Sequence, residues 1–349
     1  MSIQYLLKAE QEKIVTSARI GILYGMLDAW KRRPDGPEEP DIIASLVINS
    51  VSYWGDVLFA IFDHFNIPFS IISVFCHQTP KVTFPMSIHK SCEIGDILFV
   101  YVHKEQDITI RNALLYQAKI SREQPYSVRH NDLHQLDLYL KWPTFKYVRS
   151  GQLSGKKRDI KPKGPHSGAQ YMLIDDRLPN DPQSGLLGFP GTYPIGSCMP
   201  DDKLVDHADL ASELFNFLTL RSGRQFNAKD EARRDGWSQV IWDLLTASLS
   251  KAFSRKRAGY VNTARMHGLG IEQLDGLSIS KASRRASYST VSDAIGSIAA
   301  GYMFQAGRNN DYSEVGKNVR GANKNNGISV VLIESGSASK ERRIADEEM

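Results

Sequence analysis

The sequence predicts a mixed α/β protein: a sheet flanked by helices in the N-terminal half, then a mainly helical C-terminal half. Three observations carry this. Two segments with helical apolar stripes, 5–33 and 41–65, precede any strand-like run. From Phe69 onward, short apolar runs bounded by turn residues follow one another. After residue 204 the long periodic segments are helical again, with one late strand-like run, Ile328–Glu334.

In chain order, Leu6, Ile14, Ala18, Ile22, Leu23, Met26, Leu27 and Trp30 form the first stripe, which stops at Arg33-Pro34. Residues 35–40 are a turn-rich acidic connector, and the helix over 41–65 ends before Asn66-Ile67-Pro68. Strands are predicted over 69–76 and 81–84, then 96–102 and 113–120 as a hairpin, then 169–174. Between the last two, a helix spans about 131–140. The Pro- and Gly-rich stretch 177–204 reads as a long loop or lid. Helices follow over 206–220 and 228–254, the latter with Trp237, Val240, Ile241, Leu244, Leu245 and Leu249 on one face. The Gly-, Ser-, Asn- and Arg-rich region 255–325 carries a short helix near 290–304. The domain division is therefore an N-terminal helix over 1–40, a core over 41–176, a mainly helical region over 177–335 and a charged tail over 336–349. The helical region either forms a second subdomain or wraps the core.

The hairpin holds the chemistry. Asp96 opens its first strand, while Gln117 and Lys119 share one face of the second, because side chains alternate along a strand. Burying an acid, an amide and a lysine with no task costs several kcal/mol. Together they make a metal-and-lysine arrangement. A solvated strand end would also carry such residues.

The order Asp96, then Gln117-Ala118-Lys119, then Gln135-Leu136-Asp137-Leu138-Tyr139 resembles the PD-(D/E)xK nuclease superfamily. The middle element resembles the QxK variant of its Mrr-like branch. The last resembles the QxxxY motif of RecB-like and Cas4-like nucleases. The resemblance covers Asp56 to Tyr139. It implies a restriction-endonuclease-like sheet and metal-dependent cleavage of nucleic acid, DNA first, in a bacterial defence or repair setting. It implies Mg²⁺ or Mn²⁺ held by Asp96 and Gln117, with Lys119 as the third catalytic residue and Gln135 and Tyr139 in support. A neutral Gln117 removes one charge from such a site; Glu93 and Asp56 are the candidates to restore it. Glu93 is at odd spacing from Asp96, so an irregularity at Gly95 is needed to turn it inward. The same Gln117 keeps a second reading open: an inactive nuclease-fold subunit that binds nucleic acid or acts as a scaffold. Leu136, Leu138, Tyr139 and Leu140 would equally form the apolar body of an amphipathic helix.

Residues 141–163 carry eight basic residues against one acid, Asp159, with Trp142, Phe145 and Tyr147 interleaved. Lys156, Lys157, Arg158, Lys161 and Lys163 are candidates to neutralise phosphates, and the aromatics to stack on bases. A solvated loop with its aromatics in the core is the plain alternative. The net charge of +4 over 349 residues makes no case for nucleic acid by itself. No run of 18 uncharged apolar residues predicts a membrane span. The N-terminus lacks a signal-peptide pattern, and Cys76, Cys92 and Cys198 have no zinc spacing, so a reducing cytoplasm is expected. Protein partners and a homo-oligomer stay open. The pair His130 and His134, the run GQLSGK and the basic run Arg284–Ser287 match no complete motif.

Overall fold

The computed structural model describes residues 2–76, 80–85, 91–105, 108–177, 193–254 and 327–336. Helices α1 (Ile3–Ala9), α2 (Gln11–Arg32), α3 (Glu39–Ser45) and α4 (Val51–His64) come first; a π-helical stretch, Leu46–Ser50, joins α3 to α4. Strands β1 (Phe69–Val74), β2 (Lys81–Thr83), β3 (Cys92–Glu93), β4 (Ile97–Glu105), β5 (Ile108–Ile120) and β6 (Tyr126–Ser127) follow. Next come α5 (Leu133–Lys141), β7 (Phe145–Val148), β8 (Lys157–Arg158), β9 (Ala169–Ile174), β10 (Ile195–Cys198), β11 (Lys203–Leu204) and β12 (Ala208–Asp209). The rest is α6 (Leu210–Leu218), β13 (Arg224–Gln225), α7 (Gly236–Ser254) and β14 (Ser329–Gly336).

The main sheet is mixed, in the order β1-β14-β4-β5-β9-β10-β12, with β13 paired to the outer part of β5. β14 runs parallel to β4, and β9 parallel to β5; β4 and β5 are the antiparallel hairpin. Its central strands are buried on both faces, so they read as continuous apolar runs rather than alternating ones. Leu98, Val100, Val102 and Leu115 face a core shared with α5, α7 and a small second sheet, β3-β2-β7-β8. Ile97, Phe99, Tyr101 and Tyr116 face the opposite core, built by α1 to α4 and α6. The α2 helix packs tightly on the π-helical stretch, where a Cβ on Gly25 would lie 2.1 Å from Ser50 Oγ.

Several elements differ from the sequence reading. The first stripe is two helices that break at Glu10. The helix expected from residue 41 begins at Glu39, with Pro40 in its first turn, where a missing N–H costs nothing. The hairpin strands are longer than their apolar centres: Lys104, Glu105 and Arg111 lie within β4 and β5. The sheet there extends past the core into solvent, so the polar stretch looked like a turn.

The stretch 177–204 contains β10, a buried sheet strand, rather than a loop throughout. Among the described residues of the C-terminal region, α6 and α7 make up most of the regular structure, and β10 to β13 are strands beyond the one late strand expected. β14 completes the main sheet between β1 and β4. The short helix near 290–304, the run Arg284–Ser287 and the tail beyond 336 fall outside the described residues. One helical span, Glu39–His64, is long and apolar enough to cross a membrane by length and composition; 72% of its apolar window is buried inside the protein, as a core helix would be.

Candidate active site

Asp96 sits just before β4, and its backbone N–H donates to Tyr116 O at 2.8 Å. Ile97 pairs with Tyr116, so the antiparallel register puts Asp96 opposite Gln117. The Gln117 amide N–H donates to Asp96 Oδ2, and the Ala118 backbone N–H reaches the same oxygen at 2.8 Å. Lys119 lies two residues beyond Gln117, on the same face of β5. The three side chains are 8%, 2% and 8% exposed, so these are buried polar groups rather than a solvated strand end.

Two acids not singled out in the sequence complete the surroundings. Asp132, in the turn that opens α5, takes Lys119 Nζ at 3.3 Å. Glu39, at the start of α3 on the other side of the sheet, acts electrostatically on the same lysine. The flanking acids are engaged in shaping that helix start: Asp41 accepts the Glu38 N–H at 3.0 Å, and Arg33 bridges Glu38 and Asp41. Glu39, between them, is the acid that acts on Lys119. Its signal in the sequence was an acidic run directly before an apolar helix; Asp132 had only its place three residues before Gln135.

The charges are unbalanced. Burial, with Glu39 and Glu93 adding repulsion, pushes the Asp96 carboxyl well above the usual range, against the Ala118 N–H and Lys119. Burial likewise lifts Glu39 to about 7, opposed by Lys119 and reinforced by Glu93 and Asp132. Burial alone would lower Lys119; Glu39, Asp132 and Asp96 outweigh it and hold the ammonium above its ordinary value. Three carboxylates, Glu39, Asp132 and Asp96, thus act on one buried lysine, and Glu93, which acts on Asp96 and Glu39, lies 3.9 Å from Lys81.

Glu93 joins this cluster because the chain bends between β3 and β4. Gly95 makes the bend possible: a Cβ there would stand 2.7 Å from Leu115 Cδ1 and 3.1 Å from Tyr116 O. Asp56, the other candidate, lies in the middle of α4 and is not among the charges acting on Asp96, Glu39 or Lys119.

The α5 helix lies over the same face. Its Tyr139 is buried and donates to Ile94 O at 2.9 Å, which pins the bend that carries Asp96. Asp132, Gln135 and Tyr139 are spaced three and four apart and so share one side of this turn and helix. Gln135 Oε1 is buried and has no hydrogen-bond partner.

The basic segment is arranged differently from a bare phosphate grip. Arg158 is bound by Asp243 through two contacts, 2.7 and 3.0 Å, and Lys156 approaches the same carboxylate at 4.0 Å. Lys161 and Lys163 flank Asp159, and Lys163 also donates to Trp142 O at 2.6 Å. Lys157 is exposed. Trp142, Phe145 and Tyr147 are core residues, which removes them as stacking platforms: their apolar area is better buried than left in a loop. β8 is three strands from β3 in the small sheet, ~14 Å at the usual strand spacing, so this segment is not adjacent to Glu93.

Among the described residues, no three His, Cys, Asp or Glu side chains stand close enough to hold a metal ion by themselves. The donor set nevertheless fits a hydrated divalent cation. Gln117 Oε1 is buried with no hydrogen-bond partner beside the Asp96 carboxylate. A hard cation that keeps several waters needs only one or two protein oxygens. No family model, curated protein or solved structure matches this chain.

Proposed function

We propose that this protein hydrolyses phosphodiester bonds in nucleic acid, DNA foremost, with Mg²⁺ or Mn²⁺ held by Asp96 and Gln117. The observation that carries the reading is the opposition of Asp96 and Gln117 across the hairpin, both buried, with Lys119 on the same face and the partly buried acids Glu39, Glu93 and Asp132 nearby. Burial favours the protonated form of Asp96 and Glu39, and a divalent cation would take the place of that proton. When bound, the cation lowers the pKa of a water and polarises a phosphoryl oxygen. Lys119, kept charged by Glu39 and Asp132, has three N–H donors. Asp132 takes one, which leaves donors to orient the attacking water and to meet charge developing on the phosphate. Asp96 offers its carboxylate from a bend clamped by Tyr139.

A second reading is supported by the Gln117–Asp96 hydrogen bond, which partly satisfies the acid without a cation. On that reading the chain is an inactive nuclease-like subunit that binds nucleic acid or scaffolds a complex. Calorimetric titration with Mn²⁺ separates the two. The nuclease reading expects binding by the wild type that is lost in Asp96→Ala; no binding by either favours the scaffold.

A further inference from the structure

Three buried oxygen atoms around the candidate site lack partners: Gln117 Oε1, Gln135 Oε1 and Tyr171 Oη. Tyr171 belongs to β9, whose parallel register sets it beside Gln117, and its side chain packs in the same core as Leu115 and Tyr139. Its ring centroid is 5.5 Å from that of Tyr139. Gln135 lies one helical turn before Tyr139 on the same face of α5. Burial first, then Cys92 and Cys198, and to a smaller extent Asp132 and Asp96, raise the pKa of the Tyr171 hydroxyl. Burial holds its proton on, so it acts as a neutral hydroxyl.

An unpartnered buried polar atom costs about 1–3 kcal/mol. A run of them at one place calls for something to bind. All three are oxygens able to accept a hydrogen bond, whereas the site already holds the donors of Lys119. A water bound to a divalent cation has the complementary need: its oxygen is taken by the metal and its hydrogens seek acceptors.

We propose that Tyr171 and Gln135 form the inner wall of the site and accept hydrogen bonds from the waters of a hydrated divalent cation whose protein ligands are Asp96 and Gln117. This rests on the cation site of the proposed function and extends it to two positioning residues that touch the ion's hydration shell. Tyr171 gives the cleaner test, because Tyr171→Phe removes one oxygen and keeps the ring.

The experiment uses the full chain and Mn²⁺ alone, followed by calorimetry, with melting temperature measured separately in EDTA. Tyr171→Phe is expected to melt no lower than the wild type in EDTA, since the lost hydroxyl had no partner. It is expected to bind Mn²⁺ about tenfold more weakly, as loss of an outer-shell contact does. Gln135→Met is expected to weaken Mn²⁺ in the same sense and keeps the test available should the tyrosine variant fold poorly. Unchanged Mn²⁺ affinity in both variants overturns the proposal, whatever happens to melting. A wild type that binds no Mn²⁺, or an Asp96→Ala variant that binds as tightly as the wild type, instead overturns the cation site itself and this wall with it.

Discussion

Gln117 is the residue on which the chemistry turns. Its amide donates to Asp96, and an acid in its place would set two carboxylates in contact. Gln117→Glu is therefore expected to lower stability in EDTA by about 1–3 kcal/mol, through the lost hydrogen bond and the new repulsion. Mn²⁺ should restore that loss and bind more tightly than in the wild type. Melting curves with and without Mn²⁺ check both halves; a variant equally stable in EDTA would mean that residue 117 does not face Asp96. Tyr139→Phe leaves the buried Ile94 carbonyl without its donor, with an expected cost of about 1–3 kcal/mol in denaturant unfolding. Asp96, Gln117 and Lys119 were legible in the sequence because polar groups stood out inside apolar strands. Glu39 and Asp132 were not, because each sits at an element's end, where acids are ordinary and only the tertiary fold shows what they face.

At the scale of elements, the bend between β3 and β4 and the junction before α6 are each set by a few contacts. Gly95→Ala would drive a methyl into Leu115 and the Tyr116 carbonyl. It is expected to destabilise the fold and to weaken Mn²⁺ binding together, because the displaced segment carries Asp96. The approach to α6 is held by His207, which lies 3.5 Å from Glu213. Hydrogen bonding to Glu213 raises the His207 pKa above its ordinary value, so the folded state favours the protonated ring. This contribution is fully present below the unfolded pKa, ~6.5, and is lost as pH rises through the higher folded value. Wild type should therefore out-melt His207→Gln near pH 5, and the gap should close by about pH 9. A gap that widens with pH would contradict the pairing. The helix and strand periods revealed most of these elements. The extended hairpin ends and β10 were hidden because polar strand residues and a Gly-rich flank mimic loops.

Across the whole molecule, both helical layers bring charge to Lys119: Asp132 pairs with it before α5, and Glu39 at the start of α3 acts on it electrostatically. The late strand β14, in contact with β4, ties the C-terminal region to the hairpin. The sequence marked β14 as a strand, yet local pattern has no means of saying that it inserts between β1 and β4. The basic segment belongs to this scale too. Arg158→Ala is expected to lower stability, since it leaves the largely buried Asp243 short of its bidentate partner. Lys157→Ala should leave the fold unchanged. If exposed Lys157 meets phosphate, its loss flattens the salt dependence of DNA binding by about one unit of slope. An unchanged slope assigns it to the solvated surface.

The most direct test of the central claim is cleavage of end-labelled DNA by the purified chain with Mg²⁺ or Mn²⁺. Fragments are expected that EDTA abolishes and that Asp96→Ala and Lys119→Ala each reduce by about 10²–10³-fold, with melting that shows both variants folded. Cleavage that persists in Asp96→Ala would place the chemistry elsewhere, and no cleavage by a wild type that binds Mn²⁺ and DNA would contradict the hydrolytic role.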